Sequence, residues 1–246
     1  FSPDGRFILT VNDDGSVRYW DVEREKIVHS FTLDSEFNYY AGTQISSDGR
    51  LGLVRPNTEA GNPTVYIFDL QAGKLLRKLN VTEKGQATGH IALSSDARTL
   101  LVPALLHQKT TVYDLEKGTE RQITANGAVV SFLPDNRYAV WGGKDGVVSV
   151  RDIQTGKLVA TSSNHKYPVG GMSVAPDGRV VLAGHARFSH MPAPNKETLK
   201  EDFAIRVWQL PESLWPKTTA DRIAEASRLK GHSDSIEGLA WSADGK

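Results

Sequence analysis

Phe1-Ser2-Pro3-Asp4-Gly5-Arg6 opens the chain and returns as Ile45-Ser-Ser-Asp-Gly-Arg50, Leu93-Ser-Ser-Asp-Ala-Arg98, Phe132-Leu-Pro-Asp-Asn-Arg137, Val174-Ala-Pro-Asp-Gly-Arg179 and Trp241-Ser-Ala-Asp-Gly-Lys246. Successive copies lie 44, 48, 39, 42 and 67 residues apart. Self-similarity at such a period is the mark of a repeat architecture, each unit burying a face against its neighbour. A second anchor follows each of the first five copies. It is an apolar run ending in an aromatic residue and Asp, or a remnant of that pair: Trp20-Asp21, Phe68-Asp69, Tyr113-Asp114, Arg151-Asp152 and Trp208-Gln209.

Inside each repeat the local signals are those of β-structure. Ser-Pro-Asp-Gly and its variants are turn chemistry: Pro fixes φ, Asp bonds the backbone, and Gly or Asn accepts positive φ. Short apolar runs flank each turn, and four strands fit each period. In the first copy the expected strands are 6–11, 16–22 and 26–33, and the innermost strand of the next copy falls at about 40–46. Later innermost strands are expected at 86–93, 127–133, 169–174 and 235–241. Asp14-Gly15 and Asp145-Gly146 mark inner hairpin turns, and Gly73-Lys74 and Gly156-Lys157 mark outer ones. A helical solenoid would need an amphipathic stretch in every copy. Only 218–228 reads as a short helix, with Thr218 or Thr219 as its cap.

These anchors resemble those of the WD-repeat β-propeller family, whose units carry Gly-His near the start and Trp-Asp near the end. Gly231-His232 through Trp241-Ser-Ala-Asp-Gly245 is the best single stretch. The copies depart from the pattern where Phe68, Tyr113 and Arg151 stand for Trp, and where Asn164-His165 is a remnant of Gly-His. The resemblance implies an all-β fold, a β-propeller of four-stranded antiparallel blades, with about five blades' worth in residues 1–246. It also implies a hydrogen-bonded tetrad of His232, Thr10, Asp14 and Trp20, a buried polar chain that acts as a stability device. Similar repeats in bacteria form regulatory domains joined to kinases or proteases. Because the chain starts at Phe1 inside a motif, it is expected to be a fragment whose ring contains further blades.

The regularity breaks twice. The fifth copy carries an insertion at about 187–202, between its second and third strands, and a second insertion falls at about 211–225. The two are expected on opposite faces of the propeller.

Composition removes several function classes. With 39% apolar residues over 246 positions the chain is an ordinary globular one, not a disordered one. Lys plus Arg and Asp plus Glu are both 29, so no global field draws in nucleic acid or an anionic membrane. No run approaches the roughly 18 apolar residues of a membrane-spanning helix. The absence of Cys excludes disulfides, thiolate zinc sites and cysteine nucleophiles. There is no G-x-S-x-G, no phosphate-binding G-x-x-x-x-G-K-[ST] and no H-E-x-x-H. His185 and His190 lack further ligands nearby and read as loop histidines. The expected inner strands contain only His90 and Glu237 as ionisable groups, a poor basis for an active site.

What remains informative is the face bearing the inter-blade links and the turns between second and third strands. It is expected to present Phe37, Tyr39 and Tyr40 in one link, His165, Lys166 and Tyr167 in another, Arg55 in a turn, and Arg187, Phe188 and Met191 in the insertion. Aromatic and Arg side chains dominate interface energetics. The expected function is a non-catalytic scaffold that binds a protein or peptide partner on this face, without cofactor or metal, nucleic acid or membrane. A monomeric domain and a cytoplasmic location go with that reading. The alternative is a propeller enzyme or small-ligand binder with its site in further blades or in the 187–202 insertion.

Overall fold

The computed structural model describes residues 1–12, 14–34, 42–56, 64–81, 90–104, 108–162, 168–176, 178, 180–184, 204–210, 221–232, 236 and 239–241. Every regular element among them is a strand. Blade 1 contains β1 (Phe7–Val11), β2 (Ser16–Asp21) and β3 (Lys26–Thr32). Blade 2 contains β4 (Gly42–Ile45), β5 (Leu51–Arg55), β6 (Thr64–Asp69) and β7 (Lys74–Asn80). Blade 3 contains β8 (Ala92–Leu93), β9 (Thr99–Ala104), β10 (Lys109–Asp114) and β11 (Thr119–Thr124). In blade 4 these are β12 (Val129–Phe132), β13 (Tyr138–Gly142), β14 (Val148–Asp152) and β15 (Leu158–Ser162). In blade 5 they are β16 (Val169–Val174), β17 (Val180–Gly184), β18 (Ile205–Gln209) and β19 (Asp221–Leu229). Within each blade consecutive strands pair antiparallel in chain order, as the repeat reading requires.

The anchor turns are built alike because their bonds are local. In blade 1 the Ser2 hydroxyl accepts the Phe7 amide at 2.9 Å, and the Asp4 carboxylate accepts the Arg6 amide at 3.1 Å. Ser46 with Asp48 and Ser94 with Asp96 repeat both bonds. The turns also touch one another: Ser47 donates to the Ser95 carbonyl, and the Ser95 amide donates to Asn136 Oδ1 at 2.8 Å. Blades 2, 3 and 4 are thereby tied along one face.

Among the described residues four apolar cores lie between blades. Leu9, Val17 and Tyr19 of blade 1 pack on Val54, Tyr66 and Phe68 of blade 2. Leu53 and Ile67 meet Leu100 and Tyr113 across the next boundary. Leu101 and Val112 meet Phe132 and Trp141 across the third, and Val140 and Val150 meet Trp208 across the fourth. The second-anchor aromatics Phe68, Tyr113 and Trp208 all point back at the preceding blade. Trp20 has the same place in blade 1, where it helps line an open hollow of about 400 Å³ with Ile8, Thr10, Asn12 and Arg18. The sheets do not close into a ring, since none of the four cores joins blade 5 to blade 1 among the described residues.

Two local expectations are corrected. Residues 221–229, which overlap most of the stretch read as a helix at 218–228, form β19. An isolated helix of that length is marginal in water. As a strand the segment pairs with β18 from Ile205↔Leu229 to Gln209↔Ala224, and it buries Ile223 to 4% exposure. Its first residues also pair in parallel with blade 4, Ala160↔Asp221 through Ser162↔Ile223, so blades 4 and 5 form one eight-stranded sheet. The second correction concerns 235–241. Ile236 and residues 239–241 are described and none lies in a strand, so blade 1 has three strands among the described residues.

Candidate interaction face

Strand register decides which loops share a face. Gly42 at the start of β4 opposes Arg55 at the end of β5. Val129 likewise opposes Gly142, and Val169 opposes Gly184. Each inter-blade link therefore enters its blade at the end where the second strand turns toward the third. The entry ends of these inner strands and the exit ends of the second strands lie together, opposite the anchor turns.

Arg55 is the one residue of the expected interaction set that falls among the described residues. It closes β5 in a half-buried position, and burial pulls its guanidinium below the ordinary value. Nearby, burial and secondarily the Arg55 charge hold the His90 imidazole below its usual range. The His90 amide donates to the Ala128 carbonyl at 2.8 Å, which joins the entry of blade 3 to that of blade 4. Gln44 does the same one blade earlier, its Oε1 accepting the Leu93 amide at 3.1 Å. Phe37, Tyr39, Tyr40, His165, Lys166, Tyr167, Arg187, Phe188 and Met191 lie outside the described residues.

A polar clip not singled out in the sequence sits on the same face. Asp34, just after β3, accepts from the Tyr66 hydroxyl at 2.8 Å and from Lys78 Nζ at 2.5 Å, joining blade 1 to both outer strands of blade 2. Lys78 and then Tyr66, as donors, hold the Asp34 carboxyl below its ordinary range. The ammonium also lies 5.7 Å from the centroid of the Tyr66 ring. The three residues are 32 and 44 positions apart, and no local motif connects them.

Of the tetrad residues, the structure joins two. Trp20 Nε1 donates to Thr10 Oγ1 at 3.0 Å within blade 1. Asp14 accepts the Ser16 amide at 2.8 Å, and His232 is exposed. Among the described residues no hydrogen bond links His232 to the other three. A second Trp–Thr bond crosses blades at Trp141 and Thr110, which sequence reasoning missed because Trp141 lies outside both repeated anchors. Among the described residues no three His, Cys, Asp or Glu side chains converge on a metal-sized site. No helix there is long and apolar enough to cross a membrane.

Repeated antiparallel sheets packed face to face, with the anchor turns along one side, define an all-β repeat protein of β-propeller type. Residues 1–21, from the first anchor through Trp20-Asp21, match the family profile described as WD domain, G-beta repeat. The chain is 29% identical to rat coronin-7 over 189 residues, an alignment that takes in 70% of this chain and 18% of that protein. It is 24% identical to Dictyostelium discoideum protein tipD over 194 residues, 75% of this chain and 30% of that protein. It is 22% identical to Arabidopsis thaliana autophagy-related protein 16 over 184 residues, 71% of this chain and 33% of that protein. The matched residues form one WD-type repeat, and the later anchors repeat its pattern. The chain matches no more than about a third of the length of these three relatives.

Proposed function

We propose that the chain is a non-catalytic interaction scaffold that binds a protein or peptide partner on the face formed by the inter-blade links, with the cytoplasm as its compartment. The observation that carries this reading is Arg55. A half-buried guanidinium at the end of β5, opposite the entry of the blade at Gly42, suits a carboxylate presented by a partner. Charge-assisted bonds of that kind are strong because Arg offers a planar fork of donors. Around it we assign contact roles to Phe37, Tyr39, Tyr40, His165, Lys166, Tyr167, Arg187, Phe188 and Met191 on their residue types. Rigid rings and long side chains at loop positions are the anchors of most interfaces. We keep His232, Thr10, Asp14 and Trp20 as a structural set.

The test compares substitutions on the two faces. Arg55→Ala, Tyr39→Ala and Tyr167→Ala are expected to weaken capture of a partner cross-linked to this face by at least about 1 kcal/mol each, with Tm nearly unchanged. Ser47→Ala and Pro134→Ala on the anchor-turn face are expected to leave capture intact. Reduced stability with intact capture would assign the rings to the core and overturn the reading.

A further inference from the structure

We infer that the outer edge of blade 2, strand β7, is a docking site for an extended acidic peptide, which joins the sheet as a fifth strand parallel to β7. This surface is the rim of the molecule, distinct from the link face, and the inference stands apart from the proposal for that face.

The molecule itself carries the precedent. On blade 4 the outer edge already holds an added strand, the first three residues of β19 lying parallel to Ala160–Ser162. Strand β7 has the same construction. Leu75 opposes Phe68 as Leu158 opposes Arg151, and in both blades the register shifts at the next residue, Leu76 or Val159. Both outer strands thus carry an apolar pair at a bulge. On blade 4 the added strand begins at Ala160, just past Leu158 and Val159, which are half-buried, and Val159 packs on the core between blades 4 and 5. On blade 2 the edge of β7 is terminal in its sheet among the described residues. There Leu75 and Leu76 are 41% and 47% exposed. An added strand running along this edge would cover part of that exposed apolar pair.

Charge selects the occupant. Strand β7 holds Lys74, Arg77 and Lys78 and no acidic residue. A second copy of the same edge would bring like charges together, and like charges opposite one another destabilise pairing. An acidic strand meets Lys74 and Arg77 favourably, while Lys78 is already engaged by Asp34. The other outer strands fit less well. Strand β3 has the apolar pair, Ile27 and Val28, but Lys26 is its one Lys or Arg and Glu25 precedes it. Strand β11 begins Thr-Glu-Arg-Gln and pairs without a bulge. Main-chain bonds would supply affinity and the charged side chains selectivity, the usual division in strand addition.

The test uses a fluorescein-labelled peptide of alternating Glu and Val, titrated by anisotropy with the whole chain at low salt. Expected is saturable binding that falls at least about tenfold for Lys74→Glu/Arg77→Glu, in keeping with reversal of two complementary charges. Lys26→Glu on β3, with the same net change per residue, is expected to leave it unchanged. The same peptide N-methylated at alternate residues is expected not to bind, and hydrogen exchange is expected to slow at amides within 75–80. Circular dichroism of the double variant checks that the sheet is intact. No saturable binding, equal binding of the N-methylated peptide, retention by the double variant, or protection confined to another blade would each overturn the proposal.

Discussion

The Trp141 indole donates to the Thr110 hydroxyl at 2.9 Å across the boundary of blades 3 and 4, and both residues are fully buried. A buried donor left without its acceptor pays its desolvation in full, whereas removing both partners costs less than the two separate losses suggest. Thr110→Val keeps shape and removes the acceptor, so it is expected to lower stability by about 1–3 kcal/mol. Denaturant titration of Thr110→Val, Trp141→Phe and the double variant should give a coupling energy above about 0.5 kcal/mol. Additive effects would mean that the bond contributes nothing beyond packing.

Gly73 locks blade 2 against blade 1. Its φ is +64°, and a Cβ there would overlap the His29 imidazole. Left-handed backbone costs an L-residue roughly 1–2 kcal/mol before any overlap is counted. Gly73→Ala is therefore expected to destabilise by more than that strain alone. Combining it with His29→Ala should recover the part due to overlap and leave the backbone part. Thermal melts of the three proteins separate the two contributions, and a double variant no better than the sum would deny the contact.

Asp152 gives the fold a measurable acid response. Burial alone would raise its carboxyl, but the Thr155 amide at 2.9 Å and then Arg137 Nε at 3.0 Å outweigh burial and hold it below the ordinary value. A carboxyl depressed in the folded state contributes stability above its unfolded pKa of about 3.9, lost as pH falls through the folded value. Asp152→Asn is expected to melt below the parent at pH 7. The gap should narrow as both are taken below about pH 4. A gap that stays constant with pH would assign the cost to geometry.

The anchor turns were legible because their chemistry is local. Ser2, Asp4 and Gly5 satisfy one another and the adjacent backbone within six residues, so residue types alone imply the turn. The same holds for the blade order, which follows from repeat spacing and antiparallel pairing. The cross-blade bonds were not legible. Trp141 and Thr110 lie 31 residues apart in ordinary apolar or polar runs, and only the packing of two sheets brings them together. On the link face, register alone places Arg55 beside the links. The Asp34, Tyr66 and Lys78 clip needed the blade-to-blade contact before its partners could be named. The reading of 218–228 as helix failed for a related reason, since the local Arg-Ile-Ala-Glu-Ala pattern says nothing about two strand edges waiting nearby.

That segment leads to the prediction with the widest reach. Ile223 is 4% exposed and packs with Ala160, Trp208 and Leu210, at the point where β19 passes from the edge of blade 4 to the edge of blade 5. Truncating a buried Ile to Ala costs about 2–5 kcal/mol. If β19 were an outer strand of blade 5 alone, the lost protection in hydrogen exchange would stop at β18. Shared pairing instead predicts that Ile223→Ala speeds exchange in two places at once, at the Ala160–Ser162 edge of β15 and along β18, while β7 in blade 2 keeps the parent's rates. Ile223→Val, which removes one methylene, should show the same pattern at about a third of the cost. Loosening confined to blade 5 would show that the two blades are separate units and that the parallel pairing carries no stability.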